Sequence, residues 1–181
     1  MAARWWNPTI ESSRHLRLVP DERLLRADHI PAERTLHLVD LENLMGGPFQ
    51  SVEAMHYASD WYRHTAPVRP ADHVIVAVNP KLAVVARSEW PRILMRVAKG
   101  PDGADLALIK ELQDPSWVAS HYGRVMVGSG DGIFAPAIEA MRAHGITVGV
   151  LARERQVSRA LRRSANFVTL FSRADAVKSV A

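Results

Sequence analysis

The chain has 181 residues, which at ~100–200 residues per domain allows one domain with a tail. Its 48% hydrophobic and 23% charged residues exclude disorder along the whole length, and no apolar run approaches the ~20 residues of a membrane-spanning helix. The absence of cysteine excludes a disulfide scaffold, a zinc finger and a thiol nucleophile, so any metal must be held by carboxylate or histidine, as suits Mg²⁺ or Mn²⁺.

Residues 1–34 show no sustained period and mix Pro8, Pro20 and Pro31 with charges of both signs, which predicts an N-terminal extension. Trp5-Trp6 within it suggests packing against the body or a partner. No apolar leader follows Met1, so the expected location is the cytoplasm. From Thr35 the pattern changes. Thr35–Asp40 reads as a β-strand ending in an acid, followed by the turn residues Gly46-Gly47-Pro48. Val52, Met55, Trp61 and Tyr62 fall at helical spacing behind Ser51, a good cap. His73–Asn79 is a continuous apolar strand, Leu82–Trp90 a helix and Arg92–Val97 a strand. After the turn Lys99–Gly103, Ala104–Leu112 reads as a helix. Arg124–Val127 is a buried strand, followed by Gly128-Ser-Gly-Asp-Gly132 and a helix to His144. Ile146–Leu151, Gln156–Arg163 and Phe167–Phe171 complete the series as strand, helix and strand.

Strands apolar on both faces alternating with helices predict an α/β fold, an open doubly wound and mostly parallel sheet with helices on both sides. In such sheets ligands bind outside the carboxyl ends of the strands. Three acids fall there: Asp40 ends the first strand, Asp105 lies in the helical turn after the third, and Asp131 follows the fourth. Asn43 and Asn79 hold comparable positions. Clustered carboxylates repel one another unless a cation resolves them, so a divalent metal is one reading. Caps of helix N-termini are the other. The glycines around Asp131 match neither a dinucleotide fingerprint nor a P-loop. The net charge of +4 is uneven. Seven basic residues against two acids from Arg153 onward give that segment +5, and −1 is left for the rest. A basic stripe suits an anionic partner such as nucleic acid, or is a solvated helix face. None of the eight histidines pairs at helical spacing for a metal.

Five segments together resemble NYN domains of the PIN-like ribonuclease superfamily. Leu38-Val-Asp-Leu-Glu-Asn-Leu44 resembles their opening Asp-x-x-Asn signature, and Lys99-Gly-Pro-Asp-Gly-Ala-Asp-Leu-Ala-Leu108 their second acidic motif. Val127-Gly-Ser-Gly-Asp-Gly-Ile-Phe-Ala-Pro136 is similar to their Ser-Gly-Asp-x-Asp-Phe motif, with Gly145-Ile-Thr-Val-Gly-Val150 as the strand after it. Arg159-Ala-Leu-Arg-Arg-Ser-Ala-Asn-Phe-Val168 is similar to the closing helix and strand. The resemblance implies a domain over residues 35–173 with a tail at 174–181. It implies hydrolysis of RNA phosphodiesters, as an endoribonuclease, at a Mg²⁺ or Mn²⁺ held by Asp40, Asp105 and Asp131. Asn43 and Ser129 would orient phosphate or metal-bound water. Lys99, Arg155, Arg159, Arg162 and Arg163 would bind the RNA backbone.

The pattern departs from the family at Ile133, where a second acid usually stands, and at Asn166 near the last strand. Glu42, Asp102 or a water could fill the first gap. Two alternatives stand beside the nuclease. One is a catalytically degenerate module that binds RNA or protein without cutting. The other is a haloacid-dehalogenase-like phosphatase using Asp40 as nucleophile and Glu42 as acid. The sequence leaves open the oligomeric state, with a homo-oligomer one option.

Overall fold

The computed structural model describes residues 34–47, 51–91 and 93–171. The expected extension before Arg34, the Trp5-Trp6 pair, Pro48, Arg92 and the tail lie outside these residues. In chain order the elements are β1 (Thr35–Asp40), α1 (Leu41–Met45), α2 (Val52–Thr65), β2 (His73–Val78), α3 (Ala83–Glu89), β3 (Leu94–Val97), α4 (Gly103–Lys110), α5 (Pro115–His121), β4 (Arg124–Gly128), a 3₁₀ turn (Gly132–Phe134), α6 (Ala135–Ala143), β5 (Thr147–Arg153), α7 (Arg159–Ser164) and β6 (Phe167–Phe171).

All six strands are parallel, in the order β3-β2-β1-β4-β5-β6. Every residue of β1 is buried, because helices cover both of its faces. Leu36 and Leu38 point to one face, where Leu108 of α4, Val118 of α5, Ile138 and Met141 of α6 and Leu161 of α7 close one core. Val39 points to the other, where Leu44 of α1, Met55 and Tyr62 of α2 and Ala86 of α3 close a second. Alternation along one strand thus feeds two cores, the requirement for a doubly wound sheet.

The order of strands reverses at β1. One side leads to β2 and β3, the other to β4, β5 and β6. The loops leaving β1 and β4 therefore diverge to opposite faces and open a crevice above their carboxyl ends. Register sharpens this: Val39 lies opposite Gly128, which sets Asp40 beside Ser129.

Element ends differ from the sequence expectation where a cap or tertiary contact decides. The expected helix at Gln156–Arg163 starts only at Arg159, because the Ser158 hydroxyl accepts from Leu161 N at 3.1 Å as N-cap. The Ser158 N–H is meanwhile bound to Gly130 O at 2.9 Å. β3 begins at Leu94 and is short, an edge strand with one neighbour. β5 runs two residues further, to Arg153, paired with β6 on its outer side. Two short helices were not expected. α1 is capped by Asp40 and α5 by Asp114, which accepts from Trp117 N at 2.9 Å with Pro115 in the first turn. Among the described residues no helix is long and apolar enough to cross a membrane.

Gly128 ends β4 where the second core presses closest. A Cβ there would sit 2.8 Å from a Tyr62 ring carbon and 3.2 Å from Leu44 Cδ1, both side chains fully buried. Gly128→Ala is therefore expected to destabilise the fold by about 1–3 kcal/mol, measured as a lowered midpoint of urea unfolding with an unchanged slope.

Candidate active site

The carboxyl ends of β1, β2 and β3 and the start of α4 converge on one acidic cleft of about 260 Å³. Asp40 and Asp105 form its floor and Asn43, Asn79 and Gln156 are among its walls. Asp40 is the last residue of β1 and the N-cap of α1. Its Oδ1 accepts from Asn43 N at 3.2 Å, and its Oδ2 accepts from the Ser129 hydroxyl at 3.3 Å. It is only 3% exposed. Asp105 stands in the first turn of α4, also buried, with Oδ1 bonded to nothing among the described residues.

The electrostatics of this pair are unfavourable as they stand. Burial, and then the charge of Asp105 beside it, hold the Asp40 carboxyl well above the usual carboxylate range. Burial raises Asp105 as well; the charges of Asp131 and Asp102 add to the rise, and the hydrogen bond from Asp40 works against it. The two carboxyls thus oppose each other's ionisation in a site that burial already makes costly for charge.

Asp102, Asp105 and Asp131 each place a carboxylate oxygen within 4.8 Å of the others. Asp131 is held by its loop: its N–H donates to the Ser129 hydroxyl at 3.2 Å, and its Oδ1 accepts from Ile133 N at 2.9 Å, capping the 3₁₀ turn. Asp102 precedes α4 in the left-handed region, φ 55°, and is the one non-glycine residue there among those described. Its side chain makes no capping bond. A side chain spared from capping, on a backbone conformation that costs energy, marks a position shaped by something other than helix stability.

The two readings of the edge acids thus separate by residue. Asp40 and Asp131 do cap, each with one oxygen, and each keeps the other for different use. Asp105 does not cap; its free Oδ1 is the atom that a cation would satisfy. All donors in reach are oxygen, the chemistry that hard divalent ions require.

Asn43 and Ser129 sit beside these acids but are engaged by protein atoms. Asn43 Oδ1 accepts from Gly130 N at 2.8 Å, tying α1 to the β4 loop. Ser129 is fully buried between Asp40 and the Asp131 backbone. Glu42 is engaged too, its Oε1 accepting from Asn79 N at 2.5 Å at the edge of the cleft. Ile133 is on the surface. Lys99 is exposed beside the cleft residues Ala98 and Gly100. Arg155 is exposed in the turn after β5, and Arg159, Arg162 and Arg163 are exposed on α7.

Gln156 borders the cleft without any signal in the sequence. It is brought there by the fit of its turn against Gly130: a Cβ on Gly130 would lie 2.3 Å from Gln156 O. Arg153 is a second residue without a sequence signal. Its Nη1 donates to Met45 O at 2.8 Å, closing the carboxyl end of α1.

A family model for the NYN domain matches residues 52–171. The chain belongs to the NYN domain family. Asp102, Asp105 and Asp131 lie inside the matched span, and Asp40 lies upstream of it. Membership is consistent with a domain of the PIN-like ribonuclease superfamily, in which NYN nucleases are generally dependent on a divalent metal. The crystal structure of a protein of unknown function from Vibrio parahaemolyticus shares the fold, with a TM-score of 0.54 and 20% identity over 79% of this chain and 95% of that one. No curated protein matches the sequence.

Asp40→Asn removes one charge of the buried pair while keeping an oxygen for Asn43 N. A carboxyl with a folded-state pKa raised above its unfolded value, ~3.9, stabilises most below that value and loses this contribution as pH rises through the folded pKa. The metal-free variant is therefore expected to match the wild type near pH 4 and to exceed it at neutral pH. The gain is at least about 1 kcal/mol, or about 3 °C in Tm. Thermal unfolding in EDTA across that range checks it, and parallel pH profiles for the two proteins would contradict it.

Proposed function

We propose that this NYN domain is a metal-dependent endoribonuclease whose Mg²⁺ or Mn²⁺ is held by Asp40, Asp105 and Asp131, with Asp102 in place of the acid missing at Ile133. The observation that supports it best is the buried, unpartnered Oδ1 of Asp105 with three further carboxylates around it. Structural acids of this kind are normally paired, because an unpaired buried polar atom costs about 1–3 kcal/mol. Four carboxylates on one crevice are instead a strong attractor for a divalent ion. Bound there, such an ion supplies an activated water and neutralises charge growing on phosphate oxygens.

The protein's own residues would do the positioning. Ser129 fixes the rotamer of Asp40 and the backbone of Asp131 at once, so that one hydroxyl sets the spacing of two acids. Asn43 holds the Gly130 loop against α1 and keeps the crevice open. Lys99, Arg155, Arg159, Arg162 and Arg163, all exposed, would take the phosphates of the strand on either side of the scissile bond. Their contribution is sequence-independent and falls steeply with salt. RNA is the expected partner, and the cytoplasm its expected location.

The test uses labelled single-stranded RNA with Mn²⁺ or Mg²⁺. The wild type is expected to cut, and Asp105→Asn to lower the rate by at least about 100-fold, with the fold checked by circular dichroism. RNA retained by the wild type without any cutting would favour a binding module. Turnover of a phosphomonoester with phosphate trapped on Asp40 would favour the phosphatase.

A further inference from the structure

A second cleft, of about 440 Å³, adjoins the acidic one, and Gly46 and Gln156 border both. It lies between α1, the start of α2 and the end of β5, within the size range of small-molecule sites. Its lining combines planar groups with a carboxylate. Phe171 is buried at its base, with Trp61 stacked on it at 4.0 Å between ring centroids and Tyr57 tilted against it at 6.1 Å. The guanidinium of Arg153 lies over the same Phe171 ring, 5.6 Å from its centroid.

Arg153 is not a free phosphate clamp. Its Nη1 is committed to the Met45 and Leu44 carbonyls at the end of α1, at 2.8 and 3.4 Å. Gly46, at φ 94°, brings its backbone against the guanidinium; a Cβ there would stand 3.0–3.4 Å from three of its atoms. The guanidinium is thus pinned between the Phe171 ring and the Gly46 backbone, and it holds that wall of the cleft in place in advance of any ligand. The carboxylate in the cleft is Glu53, exposed in the first turn of α2. An acid there repels phosphate and accepts from a hydrogen-bond donor. Planar faces plus an edge acceptor fit a nucleobase that carries an exocyclic amino group.

We propose that this cleft seats one nucleobase of the RNA strand beside the scissile phosphate, adenine, guanine or cytosine in preference to uracil. Tyr57 gives it stacking surface against a wall held by Arg153, and Glu53 takes its amino group. The inference rests on the nuclease reading for its place along the strand, but the cleft itself is tested without phosphate or metal.

The test is an NMR titration of the full chain in EDTA with adenosine, cytidine and uridine, which carry no phosphate. Adenosine and cytidine are expected to shift the amide resonances of Gly46, Ala54 and Gln156, and to bind about tenfold more tightly than uridine. Glu53→Gln, an exposed position that leaves the core untouched, is expected to abolish that difference, and Tyr57→Leu to weaken all three nucleosides. No shift at these amides, or equal binding of uridine with no effect of Glu53→Gln, would overturn the proposal. Nucleoside binding by a chain that cuts no RNA would count against the nuclease alone. RNA cutting without nucleoside binding would count against this cleft alone.

Discussion

Two carboxylates buried against each other set the terms for the rest of this molecule. Asp40 and Asp105 come from different elements, one closing the central strand and one opening a helix on the neighbouring crossover, and both are taken out of water. Each would be more stable ionised in solvent or paired with a cation. The fold holds them together anyway, because each sits on an element fixed by a core that does not depend on it. Leu38 and Val39 anchor β1 on both faces, and Leu108 anchors α4. The repulsion is stored locally, while the binding energy that offsets it lies in the two cores.

The arrangement also explains the residues around the pair that carry no charge. Ser129 and Asn43 look like catalytic polar groups in the sequence, and in the structure they act on the acids and their loops rather than standing open to solvent. Gly130 is needed because Gln156 O approaches where its Cβ would be, and that approach brings the β5–α7 turn to the rim of the cleft. The exposed arginines of α7 then follow on a helix whose start is set by Ser158 bonding back to Gly130, the residue before Asp131. Charge of one sign at the centre and the other beside it follows from a single loop contact.

Much of this was legible in the sequence, for reasons that differ by element. β2 reads clearly because a strand covered on both faces is an unbroken apolar run, here Val74–Val78. Asp40, Asp105 and Asp131 could be placed at the strand ends by the rule for open parallel sheets. α5 leaves no periodic pattern in its seven residues, although Asp114-Pro115 is a helix start. The contact between Asp40 and Asp105 was beyond reading, as it depends on β2 lying between β1 and β3 and on the depth of α4 over the sheet. In the sequence Asp102 is one of several residues that could stand in for an acid at Ile133; its left-handed backbone and its place beside Asp105 and Asp131 have no sequence signature in a non-glycine residue. The family match rests on residues 52–171 and so leaves Asp40 to be joined to the site by geometry.

The proposed metal centre rests on a pair of buried acids with one oxygen unsatisfied, and calorimetric titration of Mn²⁺ into the full chain tests it most directly. The wild type is expected to bind with a stoichiometry of at least one, and Asp105→Asn, with its fold intact, to lose at least about 10-fold in affinity. Absence of binding to the wild type, or equal affinity in the two proteins, would contradict the assignment of this cleft as a metal centre.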